Sequence, residues 1–430
     1  MAQPKKLVLI VIDGLTPAAF ERGVEAKTTP ALAALAEHGR YGTATSVFPS
    51  LTPVCLSSIA TGGGPDVHRI PHLVWWDRAG RRLVEYGSSF GAIKAAGMAR
   101  SITDAIYTMN QKHLSTDATT IYEAVEDAGL VAGAINITCY RGRTRHRPTL
   151  PGVTKPAFGP RRFFFYSLFE SDPTGAPLAV RNRAAGSIDA YAASVGRWLV
   201  TRDGFDFLAY YLSDFDYASH VYGPTGAEDV ALARVDASIR ALIDAAGGLD
   251  EFLERYAVIL LSDHGQTPVR HVAPLEESLT RFADSVVVTA SNRAAQVYLL
   301  PAAQTDAAQL ARALDGVPSV ELTFRLQDGN PVARRDGTDL ALDELEHPDA
   351  AHRVTAALAN PNAGELLVSA AEGWEFADLG GRHHAGGGSH GSLVEGDSIV
   401  PVLRIGVDAE IARITDVKGA AIAHFDAVRA

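Results

Sequence analysis

Cysteine is scarce in this chain of 430 residues, which contains two, Cys55 and Cys139. Two cysteines cannot form a disulfide framework, and neither lies in the CxxC spacing of a metal site. Because the chain is long enough to bury a large core, it has no need of such cross-links. Its 47% hydrophobic and 21% charged residues are ordinary for a globular protein.

Long hydrophobic runs are also missing. No apolar stretch approaches the ~20 residues needed to span a bilayer. The N-terminal run Leu7–Ile12 is too short for the core of a signal peptide, and Asp13-Gly14 follows it without a small-residue cleavage site. We therefore expect a cytoplasmic protein with no membrane contact.

Excess positive charge is the third absence, since the net charge is -11. Without a global positive field the chain is not expected to bind nucleic acid in general. A local basic patch could still hold a small phosphorylated substrate. The sequence does not indicate an oligomeric state.

Apolar segments of strand length alternate with helical segments along much of the chain. Leu7–Ile12 reads as a strand buried on both faces, and Ser285–Thr289 and Gln296–Leu300 are strand-like. The pattern also predicts strands over Val131–Ile137, Phe207–Leu212 and Ala257–Leu261, a hairpin over Leu73–Trp76 and Arg82–Tyr86, and helices over Ala31–Glu37, Val54–Ala60, Thr119–Ala128, Ile188–Leu199 and Glu228–Ala246. Such alternation favours an α/β fold with helices on both faces of the sheet.

Two regions are less regular than the rest, at about 141–183 and 268–385. The first is rich in Pro, Gly and Arg. We interpret both as insertions, or a cap, in a single catalytic domain over residues 1–430.

Polar side chains follow three of the predicted strands. They are Asp13 after the first, Asp214, Asp216 and His220 after Leu212, and Asp263 and His264 after Leu261. One Asp after a strand is usually a turn or cap residue. Three strand ends that deliver carboxylate or imidazole to one sheet edge indicate a ligand site, because ligands of open α/β sheets bind outside the carboxyl ends of the strands.

This mixture of Asp and His suits zinc, and each catalytic zinc takes about three protein ligands. Two metal ions about 4 Å apart would clamp the attacking and leaving oxygens of an in-line displacement. Five of the ligands that such a pair requires are present: Asp13, Asp216, His220, Asp263 and His264.

The ordered motifs resemble the nucleotide pyrophosphatase/phosphodiesterase family of the alkaline-phosphatase superfamily. The resemblance rests on Val11-Ile12-Asp13-Gly14, Pro49-xx-Thr52, Ile59-Ala60-Thr61-Gly62, Pro65-xx-His68, Asp216-xxx-His220-x-Tyr222-Gly223-Pro224, Ser262-Asp263-His264-Gly265 and Gly388-Ser389-His390-Gly391. Each motif alone is weak, but together they run in the family's order from residue 11 to residue 391. The resemblance implies an alkaline-phosphatase-like three-layer α/β/α sandwich with cap insertions.

The resemblance also implies the site. Thr52 would be the nucleophile, because the family's nucleophilic Thr lies nine residues before the Thr of its TG pair. One Zn²⁺ would be held by Asp13, Asp263, His264 and the Thr52 oxygen, and a second by Asp216, His220 and His390. Manganese is not excluded. Metal coordination would lower the pKa of the Thr52 hydroxyl, which would attack phosphorus and form a phospho-threonine.

The chain departs from the family pattern at Cys55, where Asn usually stands three residues after the nucleophile. A thiol is a weak donor to a phosphate oxygen. A sulfatase, whose nucleophile is made from Cys in a C-x-P-x-R setting, does not fit Cys55-Leu56-Ser57-Ser58-Ile59. Cys55 is therefore either a substrate contact or a small buried residue near the site.

Several other residues keep two interpretations. The basic run that includes Arg141, Arg143 and Arg145 is either solvated surface or a site for a substrate phosphate or carboxylate. His383 and His384 compete with His390 as the last metal ligand. Asp214 and His68 are interpreted as structural.

The sequence thus predicts a two-metal hydrolase of phosphodiester or pyrophosphate bonds. The alternatives are a phosphomonoesterase or phosphonate hydrolase on the same scaffold, and an inactive protein that binds a phosphorylated ligand.

Overall fold

The computed structural model describes residues 5–149, 152, 154–171 and 187–426. Within the first predicted insertion, residues 150, 151, 153 and 172–183 lie outside the described residues. In the described ranges, no helix has both the length and the apolar character required to cross a membrane.

Strands and helices alternate along the described chain. The strands are β1 Lys6–Ile12, β2 Arg40–Thr45, β3 Val74–Asp77, β4 Arg82–Glu85, β5 Ala132–Ile135, β6 Thr144–His146, β7 Ala157–Gly159, β8 Arg162–Phe165, β9 Phe169–Ser171, β10 Phe207–Leu212, β11 Tyr256–Leu261, β12 Thr267–Pro268, β13 His271–Ala273, β14 Val286–Ser291, β15 Ala294–Leu299, β16 Val320–Gln327, β17 Asn330–Arg335, β18 Thr338–Leu340, β19 Leu366–Ala370, β20 Trp374–Phe376, β21 Gly388–Ser389 and β22 Ile399–Ile405. The α-helices are α1 Pro17–Glu25, α2 Pro30–Glu37, α3 Thr52–Thr61, α4 Pro65–His68, α5 Phe90–Ala96, α6 Met98–Thr103, α7 Ile121–Asp127, α8 Ile188–Thr201, α9 Asp214–Ala227, α10 Ala233–Ala246, α11 Leu249–Arg255, α12 Leu275–Ser278, α13 Ala307–Ala313, α14 Ala350–Leu358, α15 Glu395–Ser398 and α16 Asp416–Asp426. Asp104–His113 and Glu228–Leu232 are π-helical, and Thr280–Phe282 and Leu342–Glu344 are 3₁₀ turns.

The central sheet has eight strands in the order β2-β22-β11-β1-β10-β5-β8-β9. β1 lies in the middle and pairs in parallel with β10 and β11. β5 and β8 continue the parallel part on one side. On the other side β22 runs antiparallel to both β11 and β2, so β2 has the direction of β1.

Both faces of this sheet are covered, as the continuous apolar run of β1 predicts. Leu7, Leu9 and Val11 point into one core, and Val8 and Ile10 point into the other. The first core includes apolar side chains of α3, α7 and α16, and the second includes those of α1, α2, α8 and α10. The three-layer α/β/α arrangement is therefore confirmed.

Most predicted elements are found within two residues of their expected ends, including the β3–β4 hairpin. The predicted helix Glu228–Ala246 is instead a π-helical turn followed by α10. α9 was not predicted, because it contains Gly223 and Pro224. Gly223 has φ 77° and joins two helical stretches across a kink, which accommodates a proline that would break a regular helix.

A second sheet lies within the region of the other predicted insertion. Its six strands have the order β14-β15-β19-β16-β17-β18, and every pairing in it is antiparallel. One face packs with α12 and α13 in a separate apolar core. The chain returns from this sheet through β20 and β21 to the edge of the central sheet. The division into one domain with insertions stays a prediction.

Candidate active site

Three neighbouring parallel strands end at the same edge of the central sheet. Asp13 directly follows β1, Asp216 lies in the first turn of α9 after β10, and Asp263 follows β11 by two residues. β1 pairs with both other strands in register. The topology therefore brings these three carboxylates together, as the sequence predicts.

Thr52 and His390 reach this edge from the flanking strands. β2 has the same direction as β1, so the segment after Thr45 leads to Thr52, the first residue of α3. β22 runs the opposite way, so the residues before Ile399, including His390, also lie at this edge. The ring of His390 stacks on that of His264, with centroids 3.6 Å apart and planes 8° apart. This contact joins the segment before β22 to the segment after β11.

One group of candidate ligands consists of Asp13, Asp263 and His264, whose ligand atoms lie within 4.8 Å of one another. His264 Nε2 is 3.2 Å from Asp13 Oδ1 and 3.6 Å from Asp263 Oδ2. Thr52 Oγ1 is 3.1 Å from the same nitrogen. The nucleophile that the resemblance implies thus lies beside this group.

A second group consists of Asp216, His264 and His390, again within 4.8 Å. His220, one turn after Asp216 on α9, has its Nε2 3.3 Å from Asp216 Oδ2. His390 Nε2 is 3.8 Å from Asp216 Oδ1. All seven implied metal-site residues therefore lie together, and His264 belongs to both groups.

The carboxylates of the first group are destabilised as anions. Burial, followed by the charge of Asp216, raises the pKa of Asp13. Burial and the charge of Asp13 raise the pKa of Asp263 well above its ordinary value. His264 has the opposite environment: burial opposes its charge, but Asp263 and Asp13 raise its pKa to about 10. The group is a concentrated negative site that favours a cation.

In the second group the carboxylate is stabilised as an anion by the histidines around it. Burial alone would raise the pKa of Asp216, but the imidazoles of His220, His390 and His264 lower it. Burial, then the charge of His264, lowers the pKa of His390 well below its ordinary value. Asp216 is thus the anion of this group, and His390 is a neutral imidazole that can ligate a metal.

The histidines are oriented as metal ligands. Each has its Nδ1 at hydrogen-bond distance from a backbone carbonyl: His264 from Gly265 at 3.0 Å, His220 from Gly388 at 2.8 Å, and His390 from Ser50 at 2.7 Å. A carbonyl only accepts, so each Nδ1 carries a proton and leaves Nε2 as the atom that faces the site. In His264, whose pKa is raised, a metal ion would first have to displace the proton from Nε2.

Two buried carboxylate oxygens also indicate that the site could bind a cation. Asp13 Oδ1 and Asp263 Oδ2 are buried and accept no hydrogen bond, and both face the single nitrogen His264 Nε2, at 3.2 Å and 3.6 Å. Unpaired buried acceptors are costly unless a cation satisfies them. The donor set of three carboxylates, three imidazoles and one hydroxyl thus fits two zinc or manganese ions.

Three further residues contact the candidate ligands and were not predicted. Tyr211 on β10 donates a short hydrogen bond to Asp13 Oδ2, and Gln266 donates one to Asp216 Oδ1. Asn292 Nδ2 lies 3.0 Å from His390 Nε2, so it competes with a metal for the lone pair of that nitrogen. Position would have suggested Gln266, two residues after His264, and Tyr211, at a strand end. Nothing in the sequence marks Asn292.

Cys55 lies in the first turn of α3, one turn after Thr52, with no exposed surface and within the apolar core. Its Sγ is 3.3 Å from the Oγ of Ser46, which donates to the carbonyl of Asp263. Burial, then the charge of Asp263, raises the pKa of the thiol well above its ordinary value. These contacts fit a small neutral core residue and give no support to a substrate contact.

The three arginines that the sequence suggested as substrate contacts, Arg141, Arg143 and Arg145, do not contact the two groups of ligands. Arg141 bonds Glu123 at 3.2 Å and the carbonyls of residues 114, 115 and 118. Arg143 bonds Glu123 at 3.1 Å and Asp127 at 2.8 Å. Arg145 is exposed on β6. The guanidinium groups of Arg141 and Arg143 are occupied by carboxylates of α7, which removes the reason to place them on a substrate.

The other residues that the sequence left with two interpretations are His68, Asp214, His383 and His384. His68 is buried, with Nε2 3.0 Å from the Ser58 hydroxyl and Nδ1 accepting from the Ile70 amide, which is a structural arrangement. Asp214 begins α9. His383 is exposed, whereas His384 stacks on His220 without joining either group of ligands.

The sheet order and the ligand edge define a three-layer α/β/α protein with a candidate metal site outside the carboxyl ends of its parallel strands. The chain is similar to phosphonoacetate hydrolase from Sinorhizobium meliloti 1021 in complex with phosphonoformate, with TM-score 0.65, 19% identity, and coverage of 98% of this chain and 96% of that one. It is also similar to murine ectonucleotide pyrophosphatase/phosphodiesterase 5, with TM-score 0.63, 16% identity, and coverage of 98% and 94%. Likeness at this identity shows the fold.

The sequence model of the type I phosphodiesterase / nucleotide pyrophosphatase family matches residues 7–393. The chain therefore belongs to that family, and the predicted resemblance is confirmed. No curated relative matches the sequence.

Proposed function

We propose that the protein hydrolyses phosphodiester or pyrophosphate bonds of a small substrate, with Thr52 as the nucleophile. The observation that carries this proposal is the position of Thr52 at the start of α3, with Oγ1 3.1 Å from His264 Nε2. Membership of the family supports the class of reaction. The first turn of a ten-residue helix also provides a favourable dipole end for a phosphoryl group.

The residues divide into two sets around the phosphorus atom. Asp13, Asp263, His264 and Thr52 would hold one metal ion, and Asp216, His220 and His390 the other. When bound, two such ions lower the pKa of the attacking oxygen and neutralise charge on both the attacking and the leaving oxygens. The chain supplies the oriented Nε2 atoms and the buried carboxylates that keep this geometry in place.

The covalent step uses the Thr52 oxygen. Thr52 Oγ1 loses its proton to solvent and forms a bond to phosphorus, while the bond from phosphorus to the leaving oxygen breaks and that oxygen takes up a proton. Water then attacks phosphorus, the bond from phosphorus to Thr52 Oγ1 breaks, and one proton of the water returns to Thr52. The product is the phosphomonoester that remains of a diester substrate. A threonine hydroxyl is a poor nucleophile by itself, so its place beside the first group of ligands is essential.

The site favours a monoanionic diester over a dianionic monoester. A dianion needs additional cations beside the metals, and Arg141 and Arg143 are occupied by Glu123 and Asp127. Membership of the type I phosphodiesterase / nucleotide pyrophosphatase family also favours a diester substrate. We therefore expect bis-p-nitrophenyl phosphate to be a better substrate than p-nitrophenyl phosphate.

The test compares Thr52→Ala with Thr52→Ser on the zinc-loaded protein. Thr52→Ala should abolish chelator-sensitive turnover of the diester, whereas Thr52→Ser retains an attacking hydroxyl and part of the activity. Metal content, measured by mass spectrometry, should stay at two ions or fall only at the site that includes Thr52. Unchanged turnover in Thr52→Ala would disprove the nucleophile.

Phosphonate hydrolysis is the second candidate, favoured by the similarity over nearly the whole chain to phosphonoacetate hydrolase. Release of phosphate from phosphonoacetate by the same preparation would support it. If two metals bind but neither esters nor phosphonoacetate are cleaved, the binding-only alternative is favoured.

A further inference from the structure

His384 is brought onto the metal site by a glycine-rich loop. Its ring stacks on that of His220, with centroids 4.0 Å apart and planes 28° apart. Gly387 permits this approach, because a Cβ there would lie 2.1 Å from the His220 carbonyl oxygen. The loop therefore holds His384 directly beside a candidate metal ligand, although His384 belongs to neither group of ligands.

Glu375 on β20 fixes the position of His384. Its Oε2 lies 3.0 Å from His384 Nδ1, and its Oε1 accepts a short hydrogen bond from the His384 amide. Glu375 has no exposed surface. A buried carboxylate is costly, so one whose two oxygens both bond a single residue specifies the orientation of that residue.

This pairing leaves one ring nitrogen for a ligand. Because a carboxylate only accepts, Nδ1 of His384 carries the proton, and in the neutral ring Nε2 presents a lone pair. Among the described residues, no hydrogen bond to Nε2 is found. The side chain remains 12% exposed, so a substrate can reach it.

The position of His384 relative to Thr52 defines which end of the substrate it meets. In an in-line displacement the leaving oxygen lies opposite the attacking oxygen. Thr52 lies beside the group of Asp13 and Asp263, while His384 lies against His220, next to Asp216. His384 is therefore on the leaving-group side.

We propose that His384 Nε2 accepts a hydrogen bond from a hydroxyl on the departing alcohol, and that Glu375 positions it for this contact. The proposal rests on the proposed function and identifies the substrate class as diesters whose leaving group is a polyol or another hydroxylated alcohol. His384 would be a specificity residue, and Glu375 a positioning residue.

The test uses two diesters, methyl 3-hydroxyphenyl phosphate and methyl 3-methoxyphenyl phosphate. Both release a phenol, but only the first carries a donor. The wild-type enzyme should prefer the hydroxylated ester by roughly 2- to 10-fold in kcat/KM, the range expected for one neutral hydrogen bond. His384→Ala should remove this preference while still cleaving the methoxy ester.

A binding measurement gives a readout that does not depend on turnover. In the Thr52→Ala background, calorimetry should show tighter binding of the hydroxylated ester, and this difference should vanish when His384→Ala is added. His383→Ala is the matched control: His383 is an exposed neighbour in the same loop, and its loss should leave the preference unchanged. Glu375→Gln, which can still accept from Nδ1, should retain more of the preference than Glu375→Ala.

Three results would overturn the inference. They are a wild-type enzyme with equal kcat/KM for the two esters, a His384→Ala variant that keeps the preference, and a His384→Ala variant that loses a metal ion and is thereby shown to lack a ligand. Failure of the proposed function would look different, because the wild-type enzyme would then cleave neither ester.

Discussion

At the scale of single residues, two adjacent tyrosines on β10 make different contacts. Tyr211 donates to Asp13 Oδ2 at the candidate metal site, while Tyr210 faces the other core and donates to the Ser238 carbonyl at 3.2 Å. Partners that hydrogen-bond a metal ligand tune its affinity by about 10- to 100-fold. We therefore expect Tyr211→Phe to weaken binding of one metal by about tenfold.

Tyr210→Phe provides the matched control for this prediction. It removes one buried hydroxyl on the same strand and should cost about 1 kcal/mol of unfolding free energy without changing metal affinity. Both variants can be titrated with zinc against a fluorescent chelator. Equal zinc affinity of Tyr211→Phe and the wild type would contradict the role given to Tyr211.

The sequence allowed prediction of the residues whose position alone identifies them. Asp13 and Asp263 each follow a buried strand, so their place at the ligand edge follows from the α/β pattern. Tyr211, Gln266 and Asn292 were not predicted. Position places the first two near the ligand edge, but the partner that each of the three contacts lies at least 50 positions away in the chain. Such pairs are fixed by packing, which local patterns do not record.

At the scale of elements, the loop after β20 and helix α9 form one half of the site. His220 Nδ1 donates to the Gly388 carbonyl, and Gly387 packs against the His220 carbonyl. In Gly387→Ala the new Cβ would lie 2.1 Å from that backbone oxygen, so the loop and α9 must separate. We expect this variant to lose affinity for the metal held by Asp216 and His220 by about tenfold or more.

Gly419→Ala tests whether glycine substitution is harmful in general. Gly419 lies within α16, and a Cβ there meets no atom within 4 Å. That variant should keep its metals and gain up to about 1 kcal/mol in stability, because alanine favours the helix. If Gly387→Ala binds two zinc ions as tightly as Gly419→Ala does, the close contact of the loop and α9 is not needed for the site.

Elements with a simple hydrophobic pattern were predicted well, and those shaped by the site were not. β1, β10 and β11 are apolar runs buried on both faces, so their sequences show them directly. α9 carries the candidate ligands Asp216 and His220 on one face and is interrupted at Gly223, which hides its period. The antiparallel direction of β22 depends on the long return of the chain from the second sheet and has no local signal.

At the scale of the whole molecule, one sheet edge gathers residues from positions 13 to 390. β1, β10 and β11 provide the carboxylates, β2 leads to Thr52, and the segment before β22 provides His390. Because three acidic groups and three imidazoles meet in a buried site, the fold itself holds a local charge imbalance. The stability of the molecule should therefore depend on the cations that the site binds.

Asp263→Asn tests this dependence, because it should change the metal-free and metal-loaded protein in opposite directions. Asp263 is fully buried with Oδ2 unpartnered, and burial and Asp13 raise its pKa. The folded state therefore keeps a proton that the unfolded state releases, so the metal-free wild type loses stability as pH rises above the ordinary range of a carboxyl. An amide in place of this carboxyl cannot take up a proton on folding, so the variant should have a higher unfolding midpoint in the chelated protein at pH 7 and a flatter pH dependence.

Zinc should have the reverse effect on the same pair of proteins. At 100 times its dissociation constant, one ion stabilises the wild type by about 2.7 kcal/mol through mass action, and Asp263→Asn should lose most of that gain at one site. The control is Asp236→Asn, since Asp236 is also buried but bonds the amides of Ala31 and Leu32 at the start of α2. It should lower stability with and without zinc and leave the zinc increment unchanged. A contrary result would be a lower unfolding midpoint of chelated Asp263→Asn, as expected for Asp236→Asn. The carboxylate of Asp263 would then stabilise the metal-free fold, and zinc would not act by neutralising an excess of negative charge.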